Sequence, residues 1–291
     1  IRFCIFLVVI AETTTYLQPI SNVGSNVHGY IVTTELIRIE SHDTFFLVVT
    51  QRHVVRSLSA GTLYRNVVVL WAEGGKVAYS ACDVVKEEEC KRLIEVAIEA
   101  FGSIDVLICN AGLSMRALFD DCDLKVLHRL MDVNFWGTVN CTKYALPWLQ
   151  RSKGSLVGIS SVAGIHGLPG RTGYSASKYA MTGFLDTIRV ENLKKGLHVM
   201  TACPGFTASN VRFSALTADG SQQGETPRNE DKMMTPQEVA HIVARGIKRR
   251  KRLCLMEWEG RGTHFLKKFC PGFVDKLFYA AMAKEPDSPL K

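Results

Sequence analysis

The sequence predicts an α/β fold of a single domain, in which helices cover both faces of a doubly wound parallel sheet. The main observation is that apolar runs alternate with amphipathic segments along residues 76–258, as expected of strands joined by helical crossovers. A second is that runs such as 156–159 are apolar throughout, which is typical of strands buried on both faces. No internal repeat or low-complexity linker divides the 291 residues, so one domain is expected.

The composition excludes several classes of protein. The chain is 47% hydrophobic and 22% charged, as in ordinary globular proteins, and no apolar run approaches the roughly 20 residues of a membrane-spanning helix. The net charge of +7 is concentrated at 248–252 and 267–268, without a nucleic-acid-binding motif. Nine dispersed cysteines lack metal-ligand spacing and favour free thiols in a reducing compartment. We therefore expect a cytoplasmic protein that binds neither nucleic acid nor metal.

Residues 1–75 do not follow the alternation clearly. Gly24 and Gly29 come nearest to a glycine-rich turn, but their spacing favours an ordinary turn. The chain begins with Ile, which indicates a fragment, a processed chain or an imperfect gene model. Apolar runs lie at 3–11, 45–49 and 67–71, the first of them predicted to be a strand rather than the remains of a signal segment.

The elements from residue 76 onward follow from their patterns. Thr235 precedes Pro236 and lies three residues before Glu238, which predicts a capped helix start. The long polar stretch 206–234 has no periodicity and is expected to be a lid. The predicted strands are 76–81, 105–109, 156–159, 197–202 and 253–258, and the predicted helices are 86–101, 124–150, 172–193 and 236–251.

Three residues around the strand at 156–159 predict chemistry. Ser161 follows the end of that strand, Tyr174 begins a helix, and Lys178 lies one turn later on the same helical face. A phenol ionises near pH ~10, and an adjacent ammonium lowers that pKa. A serine hydroxyl within reach can hold a carbonyl or alcohol oxygen against the phenol, so the set predicts proton transfer to or from an oxygen on carbon.

This set resembles the signature of the short-chain dehydrogenase/reductase family, whose fold is Rossmann-like. The resemblance extends to N-A-G at 110–112, Asn134 in DVNFWG and the P-G turn at 204–205. It implies that Tyr174 is the general acid/base, that Ser161 orients the substrate oxygen, and that Lys178 tunes Tyr174 and binds the nicotinamide ribose. It also implies that a water links the backbone of Asn134 to Lys178. The catalytic set implied is Asn134, Ser161, Tyr174 and Lys178, and the cofactor-binding set is Asp83, Val84, Asn110, Ala111, Gly112, Tyr174, Lys178, Pro204, Gly205 and Ser209.

Some of these residues have a second interpretation that the sequence leaves open. Asp83 is implied to contact adenine, but a helix N-cap fits the same position equally well. Asn134 is also compatible with a structural amide whose partners lie within the core. The polar composition of the lid leaves the substrate open beyond a small carbonyl or alcohol compound.

The family's T-G-x-x-x-G-x-G turn, which approaches the cofactor pyrophosphate, is missing from residues 1–75. The predicted function is an NAD(P)(H)-dependent oxidoreductase that interconverts a carbonyl and a secondary alcohol, with NADP slightly preferred to NAD. The missing turn leaves two alternatives: a non-catalytic binding protein of the same fold, or a chain with a misassigned N-terminus that cannot bind the cofactor.

The expected organisation is an unmatched region at 1–75, a Rossmann-like core at 76–258 and an amphipathic tail at 259–291. The tail carries Phe265, Phe269 and Phe273 near lysines, and Pro271 interrupts any continuous helix. It is compatible with docking on its own domain, a dimer contact, or peripheral contact with a membrane. The resemblance also implies a homo-oligomer formed through the helices at 124–150 and 172–193.

Overall fold

A computed structural model describes residues 5–8, 46–49, 80, 82–209, 211, 214–224, 233–286 and 288–290. Gly24, Gly29, the apolar run 67–71 and all of the predicted strand 76–81 except Ser80 lie outside these residues. Among the described residues, six parallel strands form one sheet in sequence order. They are β1 (Ile5–Val8), β2 (Phe46–Val49), β3 (Val106–Cys109), β4 (Ser155–Ile159), β5 (His198–Cys203) and β6 (Leu253–Leu255).

The helices cover the sheet on both sides, as predicted. A π-helical segment, Met131–Trp136, joins the helix Leu124–Leu130 to the helix Gly137–Arg151. The predicted helix at 124–150 is therefore present with one irregular turn. The helices are α1 (Glu87–Phe101), α2 (Leu124–Leu130), α3 (Gly137–Arg151), α4 (Thr172–Glu191), α5 (Pro236–Lys248), α6 (Trp258–Leu266) and α7 (Pro271–Ala283).

Alternate residues of the strands belong to two separate cores. Leu107 and Leu156 pack with α1, α3 and α4 on one face, whereas Val106, Ile108 and Val157 pack with α5 on the other. Because both faces are covered, the strands are apolar throughout rather than alternating with polar residues. The doubly wound α/β fold is therefore confirmed.

Three predicted boundaries change. The helix that carries Tyr174 begins at Thr172, as in the predicted range, but ends at Glu191 rather than 193, and α5 ends at Lys248 rather than 251. The last predicted strand, 253–258, is wrong at its end, because β6 stops at Leu255 and Trp258 already begins α6. The tail is interrupted before Pro271, as expected from a residue that has no backbone N–H.

The carboxyl ends of the strands position the site. Val49 of β2 pairs in register with Cys109 of β3, so both strands end at the edge from which Asn110 emerges. Farther along this edge, the amide of Ser160 bonds to the carbonyl of Ala202 at 2.7 Å and fixes the end of β4 to β5. In a parallel α/β sheet, this edge is where ligands bind.

Candidate active site

Ser161 and Tyr174 are brought together beyond the end of β4. Ser161 is in extended backbone, and its Oγ accepts a hydrogen bond from the amide of Ala163 at 3.2 Å. The Ser161 side chain lies close enough to the Tyr174 phenol to act on its pKa. Since the serine oxygen already accepts from Ala163, its single proton can be directed at the phenol oxygen. The predicted serine–tyrosine pair is present.

The electrostatics of Tyr174 differ from the expectation. Burial raises the pKa of Tyr174 above its usual range, while the Ser161 hydrogen bond and the Arg171 charge act in the opposite direction. The ammonium of Lys178 lies 5.9 Å from the centroid of the tyrosine ring. The predicted net lowering of this pKa is therefore wrong for the chain without ligand, because loss of hydration outweighs the nearby charges.

Lys178 is held at the end of β4. Its Nζ donates to the carbonyl of Ile159 at 2.8 Å, and the residue is 3% exposed. Burial lowers the pKa of Lys178 to about 8, because the charged form loses its hydration. An ammonium has three donors, so two remain for a ribose after the bond to Ile159. The buried lysine and the tyrosine lie on one face of α4, as the i,i+4 spacing predicts.

Asn134 is a fully buried amide in the π-helical segment. Its Oδ1 accepts from the amide of Leu113 at 2.7 Å, and its Nδ2 donates to the carbonyl of Leu113 at 3.0 Å. The same Nδ2 donates to Ser177 Oγ at 2.8 Å, and Ser177 in turn donates to the carbonyl of Tyr174 at 2.9 Å. The prediction that this amide must find core partners is confirmed. Its backbone carbonyl accepts from Thr138 Oγ1 at 3.0 Å.

The N-A-G segment after β3 adjoins both polar groups. A Cβ added to Gly112 would lie 3.2 Å from both Asn134 Oδ1 and Lys178 Nζ, so glycine leaves room for these side chains. Ala111 is buried, whereas the preceding residue, Asn110, is exposed at the carboxyl edge.

The segment after β5 forms the next part of the edge. The carbonyl of Pro204 accepts from the amide of Val162 at 3.3 Å, which ties this turn to the loop that carries Ser161. Gly205 has no room for a Cβ because the carboxylate of Glu257 occupies the space. Ser209 is half-buried in the same segment.

Asp83 and Val84 lie in the turn before α1. Asp83 is not the N-cap, which is Lys86, so that interpretation is wrong. Its carboxylate instead accepts from the amide of Val85 at 3.2 Å, an arrangement that short acidic side chains favour in turns. Val84 is buried, and its carbonyl accepts from Asn140 Nδ2 at 3.0 Å.

Two residues near the tyrosine were missed in the sequence. Ser177 connects Asn134 to the backbone of Tyr174, and its spacing of three residues from the tyrosine was a signal that could have found it. Arg171 stands three residues before Tyr174, and no pattern in the sequence indicates that its charge acts there.

This geometry assembles a proton-transfer device. A phenol adjoins a serine hydroxyl at the end of a parallel strand, and a buried ammonium with spare donors lies on the same helical face as the phenol. These groups come from β4 and α4 and are braced by the amide of Asn134. The arrangement can orient an oxygen atom and exchange a proton with it.

Comparisons with known proteins identify the family of the chain. The family model for short chain dehydrogenase matches residues 51–219. The chain belongs to the short-chain dehydrogenase family. The match begins within the N-terminal region in which the glycine turn is missing and ends within the polar stretch after β5. Members are dehydrogenases and reductases dependent on NAD(P), and the predicted membership is confirmed.

Relatives and solved structures give the extent of the similarity. Dehydrogenase/reductase SDR family member 7B of Mus musculus is 31% identical over 234 residues, covering 79% of this chain and 68% of the relative. The Xenopus tropicalis protein of the same name is 36% identical over 186 residues, covering 63% of this chain and 60% of the relative. The chain thus spans about two thirds of the length of these curated relatives.

The solved structures support the fold. A short-chain dehydrogenase/reductase from Burkholderia phymatum in complex with NAD has a TM-score of 0.63 at 20% identity, covering 79% of this chain and 85% of that one. A short-chain dehydrogenase from Burkholderia cenocepacia in complex with NADP has a TM-score of 0.60 at 18% identity, covering 81% and 86%.

Proposed function

We propose that the chain interconverts a carbonyl compound and a secondary alcohol, with Tyr174 as the general acid/base. The observation that carries the proposal is that the Ser161 hydroxyl adjoins the Tyr174 phenol, beside the buried ammonium of Lys178. A phenol with a raised pKa is protonated at neutral pH, which is the form that donates to a carbonyl oxygen during reduction. This protonation state suits the proton-donating role of Tyr174 in reduction.

In this mechanism Ser161 holds the substrate oxygen and Tyr174 exchanges the proton with it. Lys178 binds the ribose and favours the phenolate that forms in the oxidative direction. Asn134 fixes Leu113 and, through Ser177, the backbone of Tyr174, so that the reacting hydroxyl is positioned. The water that connects Asn134 to Lys178 is part of the proposal. A bound nicotinamide supplies the hydride at its C4.

The residues present fit the nicotinamide half of the cofactor. Lys178 has two spare donors, and Gly112 keeps the edge of the sheet open beside it. The proposed cofactor-binding residues are Asp83, Val84, Asn110, Ala111, Gly112, Tyr174, Lys178, Pro204, Gly205 and Ser209.

A second candidate is a non-catalytic protein of the same fold. The observation that favours it is that no T-G-x-x-x-G-x-G turn occurs in residues 1–75, so the backbone cannot approach a pyrophosphate in the usual way. An N-terminus that departs from the natural sequence would have the same effect. Under either alternative, the Ser161–Tyr174 pair would remain intact without turnover.

The test is turnover of a panel of ketones and aldehydes with saturating NADPH or NADH, compared with Tyr174→Phe and Ser161→Ala. Loss of the acid/base should lower kcat by about 10²–10⁴-fold at saturating cofactor. Faster turnover with NADPH than with NADH would support the proposed preference for NADP. An equal rate in Tyr174→Phe would refute the mechanism, and cofactor binding without turnover of any substrate would favour the non-catalytic protein.

We also propose that the chain acts as a homo-oligomer in a reducing, cytoplasmic environment. Trp136 and Val190 are 50% and 61% exposed on the outer surfaces of the π-helical segment and α4, which supports a contact between copies through these helices. The eight described cysteines are free thiols, as expected in a reducing compartment. Sedimentation velocity of the chain and of Val190→Asp tests the contact, and a wild-type monomer would contradict it.

The tail supports an additional proposal of peripheral contact with an anionic membrane. Its inner side docks on the domain through Val274, whereas Trp258, Phe265 and Phe269 are 79%, 65% and 68% exposed. Exposed Lys268 lies among these aromatic residues, and such a combination binds anionic lipid surfaces. None of the helices in the described part of the chain is both long and apolar enough to cross a bilayer.

Vesicle co-sedimentation tests this contact. The chain should sediment with vesicles that contain phosphatidylserine and not with phosphatidylcholine alone, and Phe265→Ser with Phe269→Ser should abolish sedimentation. Equal sedimentation of this double variant would contradict the proposal. Absence of sedimentation with a concentration-dependent oligomer would instead assign the aromatic surface to a second copy.

A further inference from the structure

The tail places a buried carboxylate near the start of α4. Glu285 is 3% exposed, and both of its oxygens accept from Arg171 Nη2, at 3.1 and 3.0 Å. Arg116 Nε lies 3.7 Å from the same carboxylate. A carboxylate is costly to remove from water and is retained in such a site only with good partners. Two guanidinium groups share this one, so they would repel each other in its absence.

The segment around Glu285 is folded into a hook against the domain. Ser288 Oγ donates to the carbonyl of Met282 at 2.8 Å, which closes the chain around the glutamate. Arg171 Nη1 contacts Met282 Sδ at 3.3 Å. Pro289 packs against Gly170, whose φ of 70° is readily adopted by glycine. The hook therefore contacts both Arg171 and the residue that precedes it.

Arg171 belongs to the first turn of the helix that carries the tyrosine. It occupies the N-cap position of α4, and its carbonyl accepts from the amide of Ser175 at 2.8 Å. The amide of Ala117 donates to the carbonyl of Gly170 at 3.0 Å, which joins this start to the segment after β3. A displacement of Arg171 would therefore also displace Tyr174, three residues later on the same helix.

We propose that Glu285 is a positioning residue for the acid/base tyrosine, because it fixes Arg171 and thereby the charge and the helix start next to Tyr174. This inference rests on the proposed role of Tyr174. The titratable and charged groups around the tyrosine are the Lys178 ammonium, 5.9 Å from its ring centroid, and the Arg171 and Cys203 side chains, which act on its pKa together with the Ser161 hydroxyl. Glu285 acts through Arg171 and touches neither the phenol nor the substrate oxygen.

The direction of the effect follows from the charges. The Arg171 charge favours the phenolate and lowers the pKa of Tyr174 against the larger opposing effect of burial. In Glu285→Gln the two guanidinium groups repel each other, and Arg171, whose side chain is 12% exposed, can turn toward water. The pKa of Tyr174 is then expected to rise. Arg171→Met removes the same charge and should raise it as well.

The experiment is a spectrophotometric titration of tyrosinate, with the Tyr174→Phe curve subtracted in each background. It compares the wild type, Glu285→Gln, Arg171→Met and the double variant, with exposed Glu99→Gln as the matched control. The expected result is a displacement of the Tyr174 curve to higher pH in both single variants. Glu285→Gln should add nothing to Arg171→Met, because it acts through that residue.

Three outcomes would overturn the inference: no displacement in Glu285→Gln beyond that of the control, a displacement to lower pH, or additive effects in the double variant. If Glu285→Gln does not fold, Glu285→Asp keeps the charge with a shorter reach and should give a smaller upward displacement. The titration needs neither cofactor nor turnover. An inactive chain would therefore refute the proposed function, while the titration would still test the role of Glu285. In an active chain, the pH profile of kcat should move in the same direction.

Discussion

Replacement of Asn134 by alanine should destabilise the protein far more than an alanine at another asparagine of the same helical region. The buried amide satisfies the backbone N–H and the carbonyl of Leu113, at 2.7 and 3.0 Å. An alanine leaves both of these backbone groups without that partner. At roughly 1–3 kcal/mol for each buried unsatisfied group, the loss is about 2–6 kcal/mol. That is a large share of the 5–15 kcal/mol typical of a domain's total stability, given as an approximate range.

The matched control is Asn140→Ala. Asn140 is half-buried in α3 and donates one bond, to the carbonyl of Val84 at 3.0 Å, so its loss should cost about 0.5–1.5 kcal/mol. The assay is urea unfolding followed by circular dichroism, with the free energy of unfolding compared at constant m-value. The reasoning is refuted if Asn134→Ala costs no more than Asn140→Ala.

Three further predictions follow from the same geometry. Tyr174→Phe should lower kcat by about 10²–10⁴-fold at saturating cofactor in a steady-state assay; an unchanged kcat would contradict its role as a proton donor. Burial lowers the pKa of Lys178 from 10.5 to about 8, so between these values the unfolded chain binds a proton that the folded chain has lost, and stability rises with pH. Between pH 8 and pH 10.5, the free energy of unfolding of the wild type, measured with urea, should rise by up to about 3 kcal/mol relative to that of Lys178→Met. A difference that does not change with pH would show that the ammonium is not desolvated. Thr235→Ala should cost about 0.5–2 kcal/mol by the same assay, because the Thr235 hydroxyl accepts from the amide of Glu238 at 3.2 Å; an unchanged midpoint would contradict the capping role.

The strands and helices after residue 80 could be predicted because their signals are local. The apolar run at 156–159 and the helical face of Tyr174 and Lys178 depend only on spacing along the chain, and the structure contains both elements. The end of β6 was mistaken since Met256 and Trp258 are apolar, and apolar character does not distinguish a strand from the start of a helix.

The pKa values and ion pairs of the site could not be predicted from the sequence for a different reason. Lys178 is close to Tyr174 in sequence, but burial, which depends on the whole fold, raises the pKa of Tyr174. The contact of Glu285 with Arg171 joins residues 114 positions apart, and no local pattern reports such a pairing. The partners of Asn134 could be expected in kind, as an amide in a core needs them, but its pairing with Leu113 could not be identified from the sequence.

The most direct test of the account is a calorimetric titration of the chain with NADPH and with NADH, alongside Lys178→Met. We expect saturable binding in the micromolar range, and weaker binding by Lys178→Met, because Lys178 is assigned to the ribose. The absence of binding up to millimolar concentrations of both cofactors would contradict the claim that this chain is a working oxidoreductase.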